Sequence, residues 1–241
     1  MMHYLIGVDD TDSSKSPTTG ELVCRLAESL LAEGVVEPHG VTRHQLLVKK
    51  QIPYTGHNSA VCMSIHAQDI EATWETTRDF LSLESDRHAS VGMCMSRWEA
   101  VSHDVMAWGR RAKTEVLALD EAQQLAAKVH VRLLAVKGDG RGMIGALAAL
   151  GLFREGNDGR FLWLPGLLEL QGRYSVADIF ERTAIDRICT LDEVELPLAE
   201  FVEIGDWPRP LLRNGQATLY VEEKKHGWSV LEREQLKELS N

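Results

Sequence analysis

The spacing of apolar and polar residues divides about the first 100 residues into short, regular elements. Continuous or alternating apolar runs predict strands, and apolar residues that recur every three or four positions predict helices. In chain order the predicted elements are a strand at 4–8, a helix at about 20–33, strands at about 41–49 and 60–66, a helix from 69 to about 83 and a strand at 89–96. This β-α-β-β-α-β order is the split βαβ pattern of ferredoxin-like sandwiches.

The pattern after residue 96 predicts a second unit and then a change of texture. A strand, a glycine-rich loop and a helix of small and apolar residues span 131–151, whereas glycines and prolines separate shorter elements beyond Pro165. The remaining predictions are helices at about 97–113 and 120–128, a strand at 161–164, a helical turn at 175–182, strands at 200–204 and 217–222, and a terminal helix at 232–239.

The element order predicts an α/β (α+β) fold in two parts. A ferredoxin-like βαββαβ start, joined to a strand-glycine loop-helix unit, would form a domain at 1–165. A smaller C-terminal α+β domain, ferredoxin-like or accessory, would follow at 166–241.

Composition and charge limit the class of protein. The chain has 241 residues, of which 44% are hydrophobic and 26% charged, as in ordinary globular proteins, and its formal net charge of −10 argues against a large basic face for nucleic acid. The four cysteines form no C-x-x-C pair, the N-terminus does not read as a signal peptide, and no segment approaches the roughly 18 apolar residues of a membrane span. We expect a reduced, cytoplasmic protein with no membrane partner; the oligomeric state is left open.

Three carboxylates follow the first predicted strand within four residues, at Asp9, Asp10 and Asp12. Ligands bind at the carboxyl ends of strands in open α/β sheets, and closely spaced carboxylates repel one another unless a positive charge neutralises them. Mg²⁺ does so, because one or two carboxylates plus substrate phosphates hold it. We therefore expect Asp10 and Asp12 to bind Mg²⁺ and Asp9 to assist the metal or act as a base. The alternative is a polar turn, in which aspartate is common.

A loop of small residues separates these carboxylates from the next predicted helix, which begins near Thr18 or Thr19. The free amides of that helix and the positive end of its dipole would face the carboxylates, so they could seat a phosphate. The alternative is that the two threonines only cap the helix.

The glycine-rich loop after the strand at 131–136 is the second candidate for phosphate binding. Its glycines let backbone amides approach a ligand, the next helix adds its dipole, and two cations could neutralise phosphate. The candidate residues are Lys137, Gly138, Gly140, Arg141, Gly142 and Gly145. Their G-x-G-x-x-G match lacks the later acidic residue of a dinucleotide fingerprint, and a Walker A loop is excluded because Gly-Lys-Ser/Thr is missing. The alternative is a tight strand-to-helix turn whose small helix packs closely on the sheet.

Four stretches, in order over about the first 155 residues, resemble motifs of the archaeal tRNA(Ile) 2-agmatinylcytidine synthetase family. Residues 6–13 resemble its N-terminal acidic motif, and 17–19 fall where the family has Cys-Thr-Thr. Residues 52–61 are similar to its Pro-aromatic-Lys-Thr-Arg-Gly-Asn segment, and 142–151 are similar to its glycine-rich loop and helix. The four stretches keep the family's order within this one chain, which makes the resemblance fairly specific.

The resemblance implies an ATP- and Mg²⁺-dependent kinase-like domain followed by a ferredoxin-like domain, in enzymes that activate a tRNA cytidine for attack by agmatine. The site residues that it implies are the metal and catalytic carboxylates Asp9, Asp10 and Asp12, the phosphate-accepting or phosphate-contacting hydroxyl of Thr18 or Thr19, the nucleotide-binding Asn58, and the phosphate loop 140–145.

Two departures from that family shape the expected function. The stretch 54–58 lacks a cation of the family's segment, and the chain ends at Asn241 without the OB-fold and zinc ribbon with which the full-length enzymes hold tRNA. We therefore expect an ATP-Mg²⁺-dependent phosphotransferase or ligase-like enzyme whose acceptor is a small molecule or nucleotide, with amines among the candidates, rather than tRNA. Three alternatives stay open: a non-catalytic nucleotide-binding regulator, an aspartyl-phosphate enzyme with Asp10 as nucleophile, and an RNA-binding protein.

Overall fold

The computed structural model describes residues 1–13, 16–34, 36–52, 58–206, 208–225, 227–232, 235, 236 and 239. The predicted β-α-β-β-α-β order is confirmed. Its elements are β1 (Met2–Asp9), α1 (Thr19–Glu33), β2 (Val36–Gln45), β3 (Ser59–Ala67), α2 (Ile70–Glu84) and β4 (Gly92–Arg97). They lie close to their predicted positions because each buries a regular set of apolar side chains.

The middle of the chain adds three helices and two strands. They are α3 (His103–Thr114), α4 (Leu119–Lys128), β5 (Arg132–Ala135), α5 (Gly142–Glu155) and β6 (Arg160–Trp163). The helix predicted over 97–113 is wrong at its start, because Arg97 still pairs with Tyr4 as the last residue of β4 and α3 begins only at His103. No helix in the described part is both long and apolar enough to cross a lipid bilayer.

The first four strands form an antiparallel sheet in the order β4-β1-β3-β2, with β5 beyond β4 and β6 beyond β2. β1 is central, since Leu5 pairs with Ser64 of β3 and with Ser96 of β4. This interleaved order is that of a split βαβ unit. The central position of β1 brings its last residue, Asp9, to the middle of one edge of the sheet.

Helices cover both faces of this sheet. Tyr4, Ile6 and Val8 of β1 belong to the apolar core shared with α1 and α2, whereas Leu5 packs in the core formed with α3 and α5. A strand that is buried on both faces carries a continuous apolar run, which explains the composition of β1. On the second face α5 crosses β1, β3 and β4, and this crossing places the start of α5 beside the end of β1.

The C-terminal part is a smaller α+β arrangement, as predicted. Its elements are β7 (Gly172–Ser175), α6 (Val176–Arg182), β8 (Arg187–Cys189), β9 (Phe201–Ile204), β10 (Leu211–Arg213), β11 (Gln216–Lys224) and β12 (Gly227–Val230). The helix at 175–182 and the strands at 200–204 and 217–222 are confirmed. The sequence missed β7, β8, β10 and β12, which are too short to show a period. The terminal helix predicted at 232–239 includes residues outside the described part.

The sheet and one apolar core continue across the predicted domain boundary between residues 165 and 166. Arg160 of β6 pairs with Leu211 of β10, and the sheet then extends through β11 and β12. The core around α5 includes Leu219 and Val221 of β11. The two predicted domains, 1–165 and 166–241, therefore share packing, and their division stays a prediction.

Candidate active site

β1 ends in a turn that presents consecutive carboxylates. Asp10 has a φ of 57°, in the left-handed region that aspartate enters more readily than most residues. Its N–H donates to Asp9 Oδ1 over 2.8 Å. The next residue, Thr11, is buried, and its N–H and hydroxyl donate to the Thr19 hydroxyl at 3.3 and 3.0 Å. The polar turn expected as the structural alternative is thus present, and it is tied to the first turn of α1.

The N-terminus of α5 packs directly against this turn. A Cβ on Gly145 would lie 1.9 Å from Asp9 Oδ2, and a Cβ on Gly142 would lie 2.6 Å from the Asp9 carbonyl oxygen. Only glycine permits so close an approach, so the tight strand-to-helix packing weighed from the sequence is also present. The same packing aims the positive end of the α5 dipole at Asp9.

The first amides of α5 already have backbone partners. The donors are Gly142 N to the Ser90 carbonyl oxygen at 2.9 Å, Met143 N to Gly140 at 3.0 Å and Ile144 N to Arg141 at 3.0 Å. A phosphate at this helix end would therefore be attracted by the dipole and by the Arg141 side chain more than by these N–H groups.

A cavity of about 310 Å³ opens where the turn and α5 meet, a size that suits a small ligand. The predicted site residues that line it are Asp9, Asp10, Asp12, Asn58, Arg141, Gly142 and Gly145. The structure therefore brings the acidic strand end, the start of β3 and the start of α5 into one site. The rest of the segment whose composition departs from the family, 54–57, lies outside the described residues.

The sequence did not indicate the other wall of the cavity. Its residues are Leu46, Gln51, Ile52, Ser59, Ala112, Glu115, Val116, Leu117, Leu119 and Ile144. Gln51 and Ile52 border or belong to the stretch that carries the resemblance, whereas the connection between α3 and α4 shows no pattern that marks a site. Mostly apolar walls with a few charged groups are the usual composition of a small-molecule site.

Burial disfavours the charged form of all three carboxyl groups. It raises the pKa of Asp9 well above its usual range, the charge of Asp10 adds to this rise, and the Asp10 N–H opposes it. Burial also raises the pKa of Asp10 and of Asp12; the Arg141 guanidinium opposes the first rise and the Thr19 hydroxyl opposes the second. Because an approaching cation favours charged carboxylates, the cavity is suited to a positively charged occupant.

Asp10 and Asp12 are the candidates to hold a metal. Mg²⁺ in nucleotide sites takes one or two carboxylates and completes its shell with phosphate oxygens and water. Asp9, Asp10 and Asp12 are not among the groups in the described part whose ligand atoms all lie within 4.8 Å of one another. The arrangement therefore suits a cation that arrives with a polyphosphate better than a cage made of protein ligands alone, and Mg²⁺ stays a prediction.

The remaining residues of the glycine loop lie beside the cavity and do not line it. Lys137 Nζ donates to the Ser85 carbonyl oxygen over 2.9 Å. Gly138 and Gly140 have φ values of 70° and 81°, which favour glycine, and they form the turn that leads into α5. Contact of these three loop residues with a phosphate stays a prediction.

The two threonines before α1 have different surroundings. Thr18 is the exposed N-cap of α1: its hydroxyl accepts from the Glu21 N–H at 3.3 Å, and its own N–H donates to the Glu21 carboxylate at 2.8 Å. Thr19 is buried, accepts from Thr11 and donates to Asp12 Oδ1 over 3.3 Å. Neither lines the cavity, but Thr19 positions a carboxylate that does.

Replacement of Thr18 by alanine is expected to lower the free energy of unfolding by about 1 kcal/mol, because the capping hydroxyl is lost. Urea denaturation of wild type and variant measures the difference. Thr18→Ser keeps the hydroxyl, is the matched control and should retain most of the stability. An unchanged free energy of unfolding in Thr18→Ala would contradict the cap.

Comparison with known proteins identifies a relative by sequence. No protein-family model matches this chain. Over 185 residues, 70% of this chain, it is 31% identical to the tRNA(Ile) 2-agmatinylcytidine synthetase TiaS of Cenarchaeum symbiosum. The chain spans 41% of the length of that relative.

Two solved structures agree with the sequence match. The crystal structure of TiaS with its isoleucine tRNA and ATP shares 28% identity and a TM-score of 0.57, over 63% of this chain and 36% of that chain. The crystal structure of TiaS with the same tRNA, AMPCPP and agmatine shares 27% identity and a TM-score of 0.55, again over 63% and 36%. Both have the mixed α/β fold described above. This chain is therefore a homologue of the tRNA(Ile) 2-agmatinylcytidine synthetase family.

Proposed function

We propose that this protein is an ATP- and Mg²⁺-dependent phosphotransferase or ligase-like enzyme that has an amine among its substrates. The observation that carries the proposal is the cavity in which Asp9, Asp10 and Asp12 meet Arg141 and the start of α5. TiaS has been crystallised with ATP, and a homologue with this cavity is expected to bind ATP there. Positioning and charge neutralisation supply most of the catalysis in phosphoryl transfer, and these residues can provide both.

Arg141 and the dipole of α5 would bind the phosphates. Arg141 lines the cavity and pairs with the Asp139 carboxylate at 2.8 Å, and its side chain is about half exposed, so it can exchange that partner for a phosphate oxygen. Asp10 and Asp12 would hold Mg²⁺, which when bound neutralises charge on the phosphates. The apolar wall, which includes Leu117, would take the base of the nucleotide.

Asp9 is the proposed proton acceptor. Its carboxyl lines the cavity, and burial holds its pKa well above its usual range. A carboxylate with an ordinary pKa is a weak base at neutral pH, whereas a raised pKa lets it take a proton from an attacking group. The neighbouring Asp10 strengthens this basicity through its charge.

An amine is the acceptor or nucleophile that the charges favour. The chain has a formal net charge of −10, which attracts cations, and Glu115 adds a further carboxylate to the lining of the cavity. TiaS has been crystallised with agmatine, itself an amine, and with its isoleucine tRNA. For this protein we propose the amine, and we make tRNA an arm of the activity test.

Asp10→Asn is expected to abolish the Mg²⁺-dependent part of ATP binding, because it removes a proposed metal ligand and keeps the shape of the side chain. Isothermal titration of ATP, with and without Mg²⁺, should show at least a tenfold loss of affinity, or about 1.4 kcal/mol. Asp79→Asn removes an exposed carboxylate from α2, serves as the matched control and should bind as the wild type does. Wild-type protein that binds no ATP would overturn the proposal.

Turnover separates an enzyme from a regulator. ATP consumption is measured with agmatine as the amine, with and without tRNA, and we expect amine-dependent release of phosphate or pyrophosphate. Binding of ATP without turnover in every arm would favour a non-catalytic regulator. A hydroxylamine-sensitive phosphoprotein that Asp10→Asn loses would instead favour the aspartyl-phosphate alternative.

A cytoplasmic location belongs to the same proposal. The four cysteines are free thiols, and Cys62, Cys94 and Cys189 are buried. Thiols remain reduced in the cytosol, whereas secreted proteins commonly pair theirs, so the free thiols support this location.

A further inference from the structure

A row of ligand-type side chains crosses three strands far from the cavity. His66 of β3 pairs directly with His3 of β1 on one side and with Glu37 of β2 on the other. Directly opposed residues in a sheet hold their Cβ atoms about 5 Å apart on the same face. The row lies at the other end of β1 from Asp9, about 20 Å away along the strand.

A β-bulge adds a third imidazole to this row. Pro38 pairs with Ile65 and Gly40 pairs with Ser64, which leaves His39 as the extra, unpaired residue of β2. The His39 ring centroid lies 4.2 Å from that of His66. Bulges commonly re-aim a side chain next to a functional site, and this one turns His39 toward His66.

Three ligand atoms converge within this row. A carboxylate oxygen of Glu37 and ring nitrogens of His39 and His66 all lie within 4.8 Å of one another, and His66 Nδ1 is in hydrogen-bond contact with His39 Nε2. Glu37 and His39 are exposed and His66 is partly exposed, so an ion can reach all three. This is the group of three in the described part whose ligand atoms come so close.

His3 supports the group and is not one of its ligands. Its Nε2 lies 2.7 Å from the Ser64 hydroxyl, and its ring stacks on Trp98 with centroids 4.9 Å apart and an angle of 8° between the planes. The His3 and His66 ring centroids are also 4.9 Å apart. Outer partners of this kind fix the orientation of metal-binding imidazoles.

We propose that Glu37, His39 and His66 bind a divalent transition-metal ion, with Zn²⁺ as the probe that fits best. Two imidazoles and one carboxylate are ligands that Zn²⁺ accepts, whereas Mg²⁺ and Ca²⁺ prefer oxygen alone. Three protein ligands leave a fourth position for water or for a further ligand. The ion ties the bulge of β2 to β3, so its binding should stabilise the fold.

The test is isothermal titration of Zn²⁺ into chelator-stripped protein that carries no histidine tag, in excess Mg²⁺ so that the aspartate cavity does not compete. The wild type should bind one Zn²⁺ per chain, and its melting temperature should rise. His39→Ala and Glu37→Gln, both at exposed positions that tolerate change, should each weaken Zn²⁺ binding by at least about tenfold. His103→Ala removes an exposed histidine outside the row and should bind as the wild type does.

Two results would overturn the inference. One is wild-type protein that binds no Zn²⁺ saturably, and the other is His39→Ala and Glu37→Gln protein that binds Zn²⁺ as tightly as the wild type. Asp10→Asn should keep full Zn²⁺ binding even though it loses ATP, because the two sites lie at opposite ends of β1. Failure of the ATP site therefore leaves the zinc result interpretable.

Discussion

Replacement of Gly7 by alanine is expected to lower the free energy of unfolding by about 3 kcal/mol, at the upper end of what overpacking costs. A Cβ at this position would lie 2.1 Å from the Ala146 carbonyl oxygen and 2.8 Å from the Cys94 sulfur. The first neighbour is helix backbone, so α5 as a whole has to move away from β1. Urea denaturation followed by circular dichroism measures the loss.

Gly205→Ala is the matched control, because a Cβ there meets nothing within 4 Å and the backbone has no positive φ. We expect that variant to be as stable as the wild type or more stable by about 0.4–1 kcal/mol, through the unfolded chain. Gly7→Ala should also weaken ATP binding, because a displaced α5 carries Gly142 and Gly145 away from Asp9. Equal stability of the two alanine variants would contradict the close packing of α5 on β1.

Replacement of Asp9 by asparagine is expected to abolish ATP turnover and yet raise the free energy of unfolding by about 1–2 kcal/mol at pH 7. The buried carboxyl has a raised pKa, which means that the folded protein disfavours its charged form. Asparagine carries no charge and can still accept the Asp10 N–H at its Oδ1. Turnover is lost because the amide cannot take a proton.

The gain from Asp9→Asn should depend on pH with a definite sign. Below the unfolded pKa, about 3.9, the carboxyl is protonated in both states and contributes nothing. As the pH rises toward the higher folded pKa of Asp9, the unfolded chain releases its proton first, so the wild type loses stability relative to the variant. The difference in unfolding free energy should therefore grow with pH and become constant above the folded pKa.

Asp178→Asn is the control of opposite sign. Hydrogen bonds from Ser175 lower the pKa of Asp178, so the loss of its charge should reduce stability at pH 7 and not at low pH. Denaturation of both variants at several pH values tests the pair. A wild type that is more stable than Asp9→Asn at pH 7 would show that the Asp9 carboxylate is stabilised where it lies.

The sequence by itself determined the elements that surround the site. The apolar run of β1 predicts a buried strand, and the spacing of apolar residues predicts α1, with Thr18 placed as its cap. The strand, glycine loop and helix ending in α5 follow from similar signals. These signals are local: each depends on residues a few positions apart, and backbone propensity and capping act over the same short range.

Only the tertiary structure decided what those elements do together. That Asp10 and Arg141 share a cavity follows from the central place of β1 and the crossing of α5, and no local pattern contains either fact. The apolar wall at 115–119 and the meeting of His39 with His66 are of the same kind. Burial, pKa and cavity shape arise from contacts between segments that are distant along the chain, so they exist only once the chain is folded.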